Sequence, residues 1–147
     1  MAAMRARVLT LLLIFAAAAC SGRSGVLEIT DSWAPSTPPG AQAGVIYLTI
    51  DNGTGTDDRL VSVATDRCGT IELHATTIDE NRIMRMRLAE PELLEIPSGN
   101  TMEMVPGELH VMCIDPPQPL RAGETIDLEV TLEQAGTIAI TTPVENR

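Results

Sequence analysis

From Val26 onward, apolar and polar residues alternate in short runs rich in β-branched side chains, and no stretch keeps a helical period for ten residues. Successive strand side chains point to opposite faces, so this period of two predicts half-buried strands. The pattern places them near Val26–Trp33, Gly44–Asp51, Arg59–Thr65, Thr70–Thr77, Arg82–Leu88, Thr101–Val105, Leu109–Ile114, Thr125–Glu133 and Thr137–Val144. Val45-Ile46-Tyr47-Leu48-Thr49-Ile50 and Ile126-Asp127-Leu128-Glu129-Val130-Thr131-Leu132 carry it most plainly. Between the runs lie Ala34-Pro35-Ser36-Thr37-Pro38-Pro39-Gly40, Asn52-Gly53-Thr54-Gly55, Asp79-Glu80-Asn81, Pro97-Ser98-Gly99-Asn100, Pro106-Gly107 and Pro116-Pro117. Proline cannot donate to a ladder and glycine accepts positive φ, so these clusters end strands. Many short strands at regular spacing predict an all-β sandwich or barrel, and no shift in composition marks a second domain.

Residues 1–19 break the pattern. Arg5 and Arg7 precede an apolar run from Val8 to Phe15, then Ala17-Ala18-Ala19 and Cys20, the layout of a secretory signal too short to span a bilayer comfortably. Ala-Ala-Ala-Cys followed by Ser21-Gly22 resembles the lipobox of bacterial lipoproteins, which implies cleavage before Cys20 and its lipidation. The alternative is an ordinary cleaved leader with Cys20 as first mature residue. The expected organisation is therefore a signal peptide over 1–19, a lipidated cysteine and short linker over 20–25, and a folded domain over 26–147. Such a protein is extracytoplasmic, tethered to the cell membrane by lipid and close to its surface, since residues 21–25 reach less than about 20 Å.

Composition narrows the chemistry. The formal net charge is −10, and all ten basic residues are arginine. No basic stripe of the kind nucleic-acid binding needs is present in the sequence. Trp33 and Tyr47 are the only aromatic residues after the leader, so the core must be aliphatic, and both are expected to pack rather than to form a stacking platform. Of three cysteines, Cys68 and Cys113 remain once Cys20 carries lipid; an even remainder in an oxidising compartment suggests one disulfide between them. The competing reading makes one of the two thiolates a metal ligand.

Five methionines (Met84, Met86, Met102, Met104, Met112) and both histidines, His74 and His110, fall within one segment ending at Met112. Random scatter would place all seven there on the order of a few times in ten thousand. Thioether and neutral imidazole are poor ligands for Mg, Ca or Mn and good ones for Cu(I). His110 and Met112 share a strand face, as do Met84 with Met86 and Met102 with Met104. If their strands are neighbours, a soft-ligand patch forms at one end of the sandwich. Singly, Met102 and Met104 are better read as core or rim.

These residues resemble the periplasmic PCuAC-type copper chaperones, whose pattern is a His, ten residues, a Met, twenty-one residues, then His-x-Met. Glu72-Leu73-His74, Met84-Arg85-Met86-Arg87 and Pro106-Gly107-Glu108-Leu109-His110-Val111-Met112 carry the motif here, and Glu95-Ile96-Pro97-Ser98-Gly99, Pro119-Leu120-Arg121-Ala122-Gly123-Glu124-Thr125 and Ala135-Gly136-Thr137 extend the resemblance over most of the mature chain. It implies a cupredoxin-like Greek-key β-sandwich that carries Cu(I) as cargo on His74, Met86, His110 and Met112. Its expected partner is the copper-bearing subunit of cytochrome c oxidase, for Cu(A) assembly, or another copper carrier. The spacing to Met86 is one residue longer than the pattern; Met84, on the same face, is the alternative ligand. A monomer without catalytic activity is expected: Gly-x-Ser-x-Gly, His-Glu-x-x-His and phosphate-binding glycine loops are absent from the sequence. The paired carboxylates Asp57-Asp58 and Asp79-Glu80 are expected to face water in turns. Rival readings are copper storage or tolerance, a blue-copper electron carrier, which needs a Cys thiolate between histidines, and a surface lipoprotein without metal.

Overall fold

The computed structural model describes residues 25–147. The signal segment and Cys20 lie outside the described residues. Ten strands form two antiparallel sheets: β1 (Leu27–Trp33), β2 (Ala43–Asn52), β3 (Asp58–Ala64), β4 (Thr70–Ile78), β5 (Met84–Leu88), β6 (Glu95–Ile96), β7 (Thr101–Glu103), β8 (His110–Ile114), β9 (Thr125–Leu132) and β10 (Gly136–Pro143). One sheet runs β1-β2-β8-β4-β5, with β7 also paired to β2; the other runs β10-β9-β3-β6. The chain thus passes repeatedly between layers, as a Greek-key sandwich does.

Alternation decides which residues fill the space between the layers. On β9, Ile126, Leu128, Val130 and Leu132 are buried and their neighbours Thr125, Asp127 and Glu129 are exposed. Ile46, Leu48 and Ile50 of β2, with Val111 and Cys113 of β8, meet this row from the opposite sheet, and Leu60 and Val63 of β3 join it. Full burial of each such side chain contributes roughly 1.5–3 kcal/mol. Met102 pairs with Ile50, and Met104 donates its N–H to the Leu48 carbonyl at 2.9 Å. Both methionines are buried in this core, so of the three Met/His pairs on alternate positions only two share the outer face.

Cys68 and Cys113 form a disulfide, with Cα atoms 5.3 Å apart. Beside it, Gly69 donates to the carbonyls of Ile114 and Asp115. A Cβ at Gly69 would lie 2.9 Å from the Asp115 oxygen, so glycine lets the start of β4 lie against the end of β8.

Two local readings need correction. Asp58 does not face water: its carboxylate accepts the N–H groups of Arg59, Gln134 and Ala135 at 2.7–2.9 Å and anchors the β9–β10 turn to β3. A carboxylate taken out of water is tolerated when several donors saturate it. The segment after β5 forms a 3-10 turn at Pro91–Leu94 and then the two-residue strand β6, where no strand is expected. β6 pairs with β3 at Asp58 and Arg59, and the Asn52 side-chain amide donates to the Ile96 carbonyl at 2.8 Å and helps hold that strand in place.

Candidate metal centre

The histidines meet because their strands pair. β8 lies beside β4 with His110 directly opposite His74, and β5 follows β4 as a hairpin with Met86 opposite Thr76 and Met84 opposite Ile78. Directly opposed residues of an antiparallel pair point to the same face. His74, His110, Met84, Met86 and Met112 therefore all project from the outer face of the larger sheet, away from the core. Met84, Met86 and His110, together with Val45, Tyr47, Thr76 and Gly107, line one open cleft of about 320 Å³ at the end of the sheet where β8 begins. Met112 sits two pairs further along, opposite Glu72 and Val45, and faces a neighbouring apolar groove with Pro35 and Pro38. Its three rotatable side-chain bonds give the thioether a wide reach.

Each imidazole is held by one nitrogen and left open at the other. His110 Nδ1 lies 2.9 Å from the Glu108 carbonyl oxygen, which only accepts, so Nδ1 carries the proton. His74 Nε2 lies 2.7 Å from a carboxylate oxygen of Glu72 and donates to it. The remaining nitrogens, His74 Nδ1 and His110 Nε2, are buried and have no hydrogen-bond partner. Buried polar atoms are nearly always paired, so two orphans on facing rings need an explanation. In each ring the held proton leaves the other nitrogen with its lone pair free, which is the tautomer a metal requires.

Ring spacing fits a shared ion. The centroids of His74 and His110 are 6.1 Å apart. A metal–nitrogen bond of about 2 Å puts each ring centre about 3.2 Å from the ion, so this spacing suits a nearly linear pair of nitrogens, and the rings close by about 1 Å to share a four-coordinate ion. Among the described residues no three His, Cys, Asp or Glu side chains gather as a ligand set, and the soft donors that line the cleft beside His110 are the thioethers of Met84 and Met86. Two imidazoles with thioethers select a soft, low-charge cation such as Cu(I).

The surroundings restrict the chemistry. Tyr47 packs edge-on to His110 with ring centroids 6.5 Å apart, and Trp33 packs on Tyr47 at 4.8 Å. Burial pushes the Tyr47 phenol above its ordinary value, so it walls the cleft as a neutral group. Cys113 points into the core and is bridged to Cys68, which removes it as a thiolate donor and leaves a blue-copper set without its sulfur. Glu72, which stands in the motif only as a neighbour of His74, is the residue that orients its ring. Its signal was nonetheless present: a carboxylate two residues before a strand histidine shares its face.

Residues 27–144 match the family model described as "Putative lipoprotein LpqE-like", and the chain belongs to the LpqE-like family. A protein of Rickettsia prowazekii (strain Madrid E), RP573, is 31% identical over 84 residues, 56% of this chain and 45% of that protein. The chain thus spans less than half of that relative. Putative lipoprotein Lxx21020 of Leifsonia xyli subsp. xyli is 26% identical over 121 residues, covering 82% of this chain and 70% of the other. Among solved structures, the apo PCuAC domain from PmoF1 superimposes with a TM-score of 0.67 at 20% identity, covering 82% of this chain and 94% of that one. The Cu(I) form of DR1885 from Deinococcus radiodurans gives 0.61 at 23% identity, covering 85% and 83%. The sandwich is therefore the cupredoxin-like PCuAC fold.

Proposed function

We infer that this protein is an extracytoplasmic carrier of Cu(I), holding one ion on His74, His110, Met86 and Met112, with Met84 able to replace Met86. The observation that carries this reading is the pair of buried, unpartnered nitrogens, His74 Nδ1 and His110 Nε2, on neighbouring rings, of which His110 lines the methionine-walled cleft. A copper-bound PCuAC domain from PmoF2 and a Cu(I) form of DR1885 share its fold, which supports copper as cargo. Relatives named as lipoproteins support the tether at Cys20.

The uneven exposure of the candidate ligands supports function as a carrier. The imidazoles are fixed by Glu72 and the Glu108 carbonyl, whereas Met84 and Met86 stand exposed on an edge strand. A receiving protein's ligands replace the methionines first and the histidines last, so the ion is passed without entering water. The expected recipient is the copper-bearing subunit of cytochrome c oxidase during Cu(A) assembly. No step is catalysed; copper is bound, held and surrendered.

Anaerobic Cu(I) titration against a competing chelator, followed by incubation with a soluble fragment of the oxidase copper subunit, tests this directly. One Cu(I) is bound per chain and moves to the fragment. His110→Ala and Met112→Ala each weaken binding at least tenfold, while Met102→Ala, which empties a core position, lowers stability by about 2–5 kcal/mol and leaves affinity nearly unchanged. Equal affinity losses at all three positions would overturn the ligand assignment, and retention of copper against the fragment would favour storage.

A further inference from the structure

The larger sheet ends on β5, whose outer edge has no strand beside it among the described residues. Ala89 donates its N–H to Leu73 at 2.8 Å and Asp79 donates to the Ile83 carbonyl at 3.0 Å, so the odd-numbered residues of this strand bond to β4. By alternation, the N–H and C=O groups of Met84, Met86 and Leu88 point to the open edge. Their side chains lie on the metal face and are more than half exposed, as is Ile78 opposite Met84. Arg85 and Arg87 project from the other face.

An exposed edge with apolar side chains is a template for another strand, and natural proteins usually blunt such edges. Here the charges exclude one partner and invite another. If a second copy paired antiparallel about Met86, Arg85 would oppose Arg87 in both directions, and like charges directly opposite destabilise a pair. The hairpin carries Arg82, Arg85 and Arg87 against Asp79 and Glu80, a local excess of one positive charge in a chain of net charge −10. Arg85 is bonded to Asp79 at 3.0 Å, whereas neither Arg82 nor Arg87 makes an ion pair among the described residues.

We propose that the β5 edge is a docking site for an extended segment of a partner protein in which acidic residues alternate with apolar or soft-ligand residues. Added antiparallel to β5, such a segment satisfies the outward N–H and C=O groups of Met84, Met86 and Leu88 and sets its acidic side chains against Arg85 and Arg87. Its alternate side chains then stand opposite Met84 and Met86, with Cβ atoms about 4.5–5.5 Å away. A methionine or histidine in those positions reaches an ion held at the adjacent cleft. The inference rests on the carrier reading only for its purpose; docking itself needs no metal.

The test is therefore done without copper. The full chain, isotopically labelled, is titrated with the synthetic peptide Glu-Met-Glu-Met-Glu-Met-Glu while amide hydrogen exchange is followed. Exchange at Met84, Met86 and Leu88 slows at least fivefold, the effect weakens with salt, and Lys-Met-Lys-Met-Lys-Met-Lys gives none. Arg87→Glu, which disturbs no ion pair, weakens binding at least threefold. Leu88→Pro removes one outward donor without touching the β4 ladder and does likewise. Unchanged exchange, equal protection by the lysine peptide, or full binding by Leu88→Pro would overturn the proposal. So would protection that appears only with vesicles of anionic lipid or only on self-association at high concentration. Failure here leaves the Cu(I) titration standing, and failure of that titration leaves this docking intact.

Discussion

Met84 and Met86 occupy equivalent positions: each lies on the outer face of β5, each is about three-fifths exposed, and both line the cleft with His110. Methionine is unbranched and flexible enough for either sulfur to reach a site on the neighbouring strands. Substituting one should leave the other to serve. Met84→Leu and Met86→Leu are each expected to weaken Cu(I) binding by less than about threefold, and the double variant by at least tenfold, a non-additivity that a double-mutant cycle measures directly. Strict additivity would mean that neither methionine stands in for the other. The two histidines and His110-x-Met112 were legible as chemistry because residue type and the period of two suffice to group them. What holds the rings was not: the Glu108 carbonyl is a backbone group that every residue possesses, and only the turn of the chain before β8 brings it within 2.9 Å of His110 Nδ1.

At the scale of elements, the β4–β5 hairpin controls where these sulfurs stand, and Asp79 closes it. Its carboxylate accepts the N–H groups of Asn81 and Ile83 at 2.9 and 3.0 Å and the Arg85 guanidinium at 3.0 Å. The bond from Ile83, then that from the Arg85 side chain, holds the carboxyl below its ordinary value of 3.8. A lowered value in the folded chain means that the ionised form supports the hairpin above pH 3.8 and that the support fades as pH falls below it. The Asn81 and Ile83 amide resonances are expected to shift together with a midpoint below 3.8, accompanied by faster exchange of the loop amides. A midpoint at or above that value would remove Asp79 from this role. The nine expected strands are all present to within a few residues because each carries its own alternation, Thr125–Leu132 above all. β6 was not legible, since Glu95-Ile96 is too short to show a period and is held by its pairing with β3 and by the side chain of Asn52, forty-four residues earlier. The anchoring role of Asp58 was not legible for a similar reason: its donors Gln134 and Ala135 lie at the far end of the sequence.

For the molecule as a whole, the site joins three strands of one sheet, and two of them, β8 and β4, lie in its interior. His74 and His110 cannot part without breaking the β4–β8 ladder, on the edge of which the Cys68–Cys113 bridge also sits. An ion held by both rings therefore binds the folded chain and loses its site when the sheet opens. Binding of that kind raises stability by RT ln(1 + [L]/Kd), about 2.7 kcal/mol at a free concentration one hundred times Kd. In a domain of this size that corresponds to a rise in Tm of roughly 10 °C. Anaerobic calorimetry with buffered Cu(I) should show that rise for the native sequence, and His74→Ala or His110→Ala should abolish most of it. The double methionine variant should keep a larger share at saturating metal, because β5 is an edge strand and its loss of contact with the ion leaves the β4–β8 ladder clamped. A shift below about 2 °C in the native protein at that saturation would mean that the ion does not bridge the two interior strands, and the order of release from edge methionines to interior histidines would then have no structural basis.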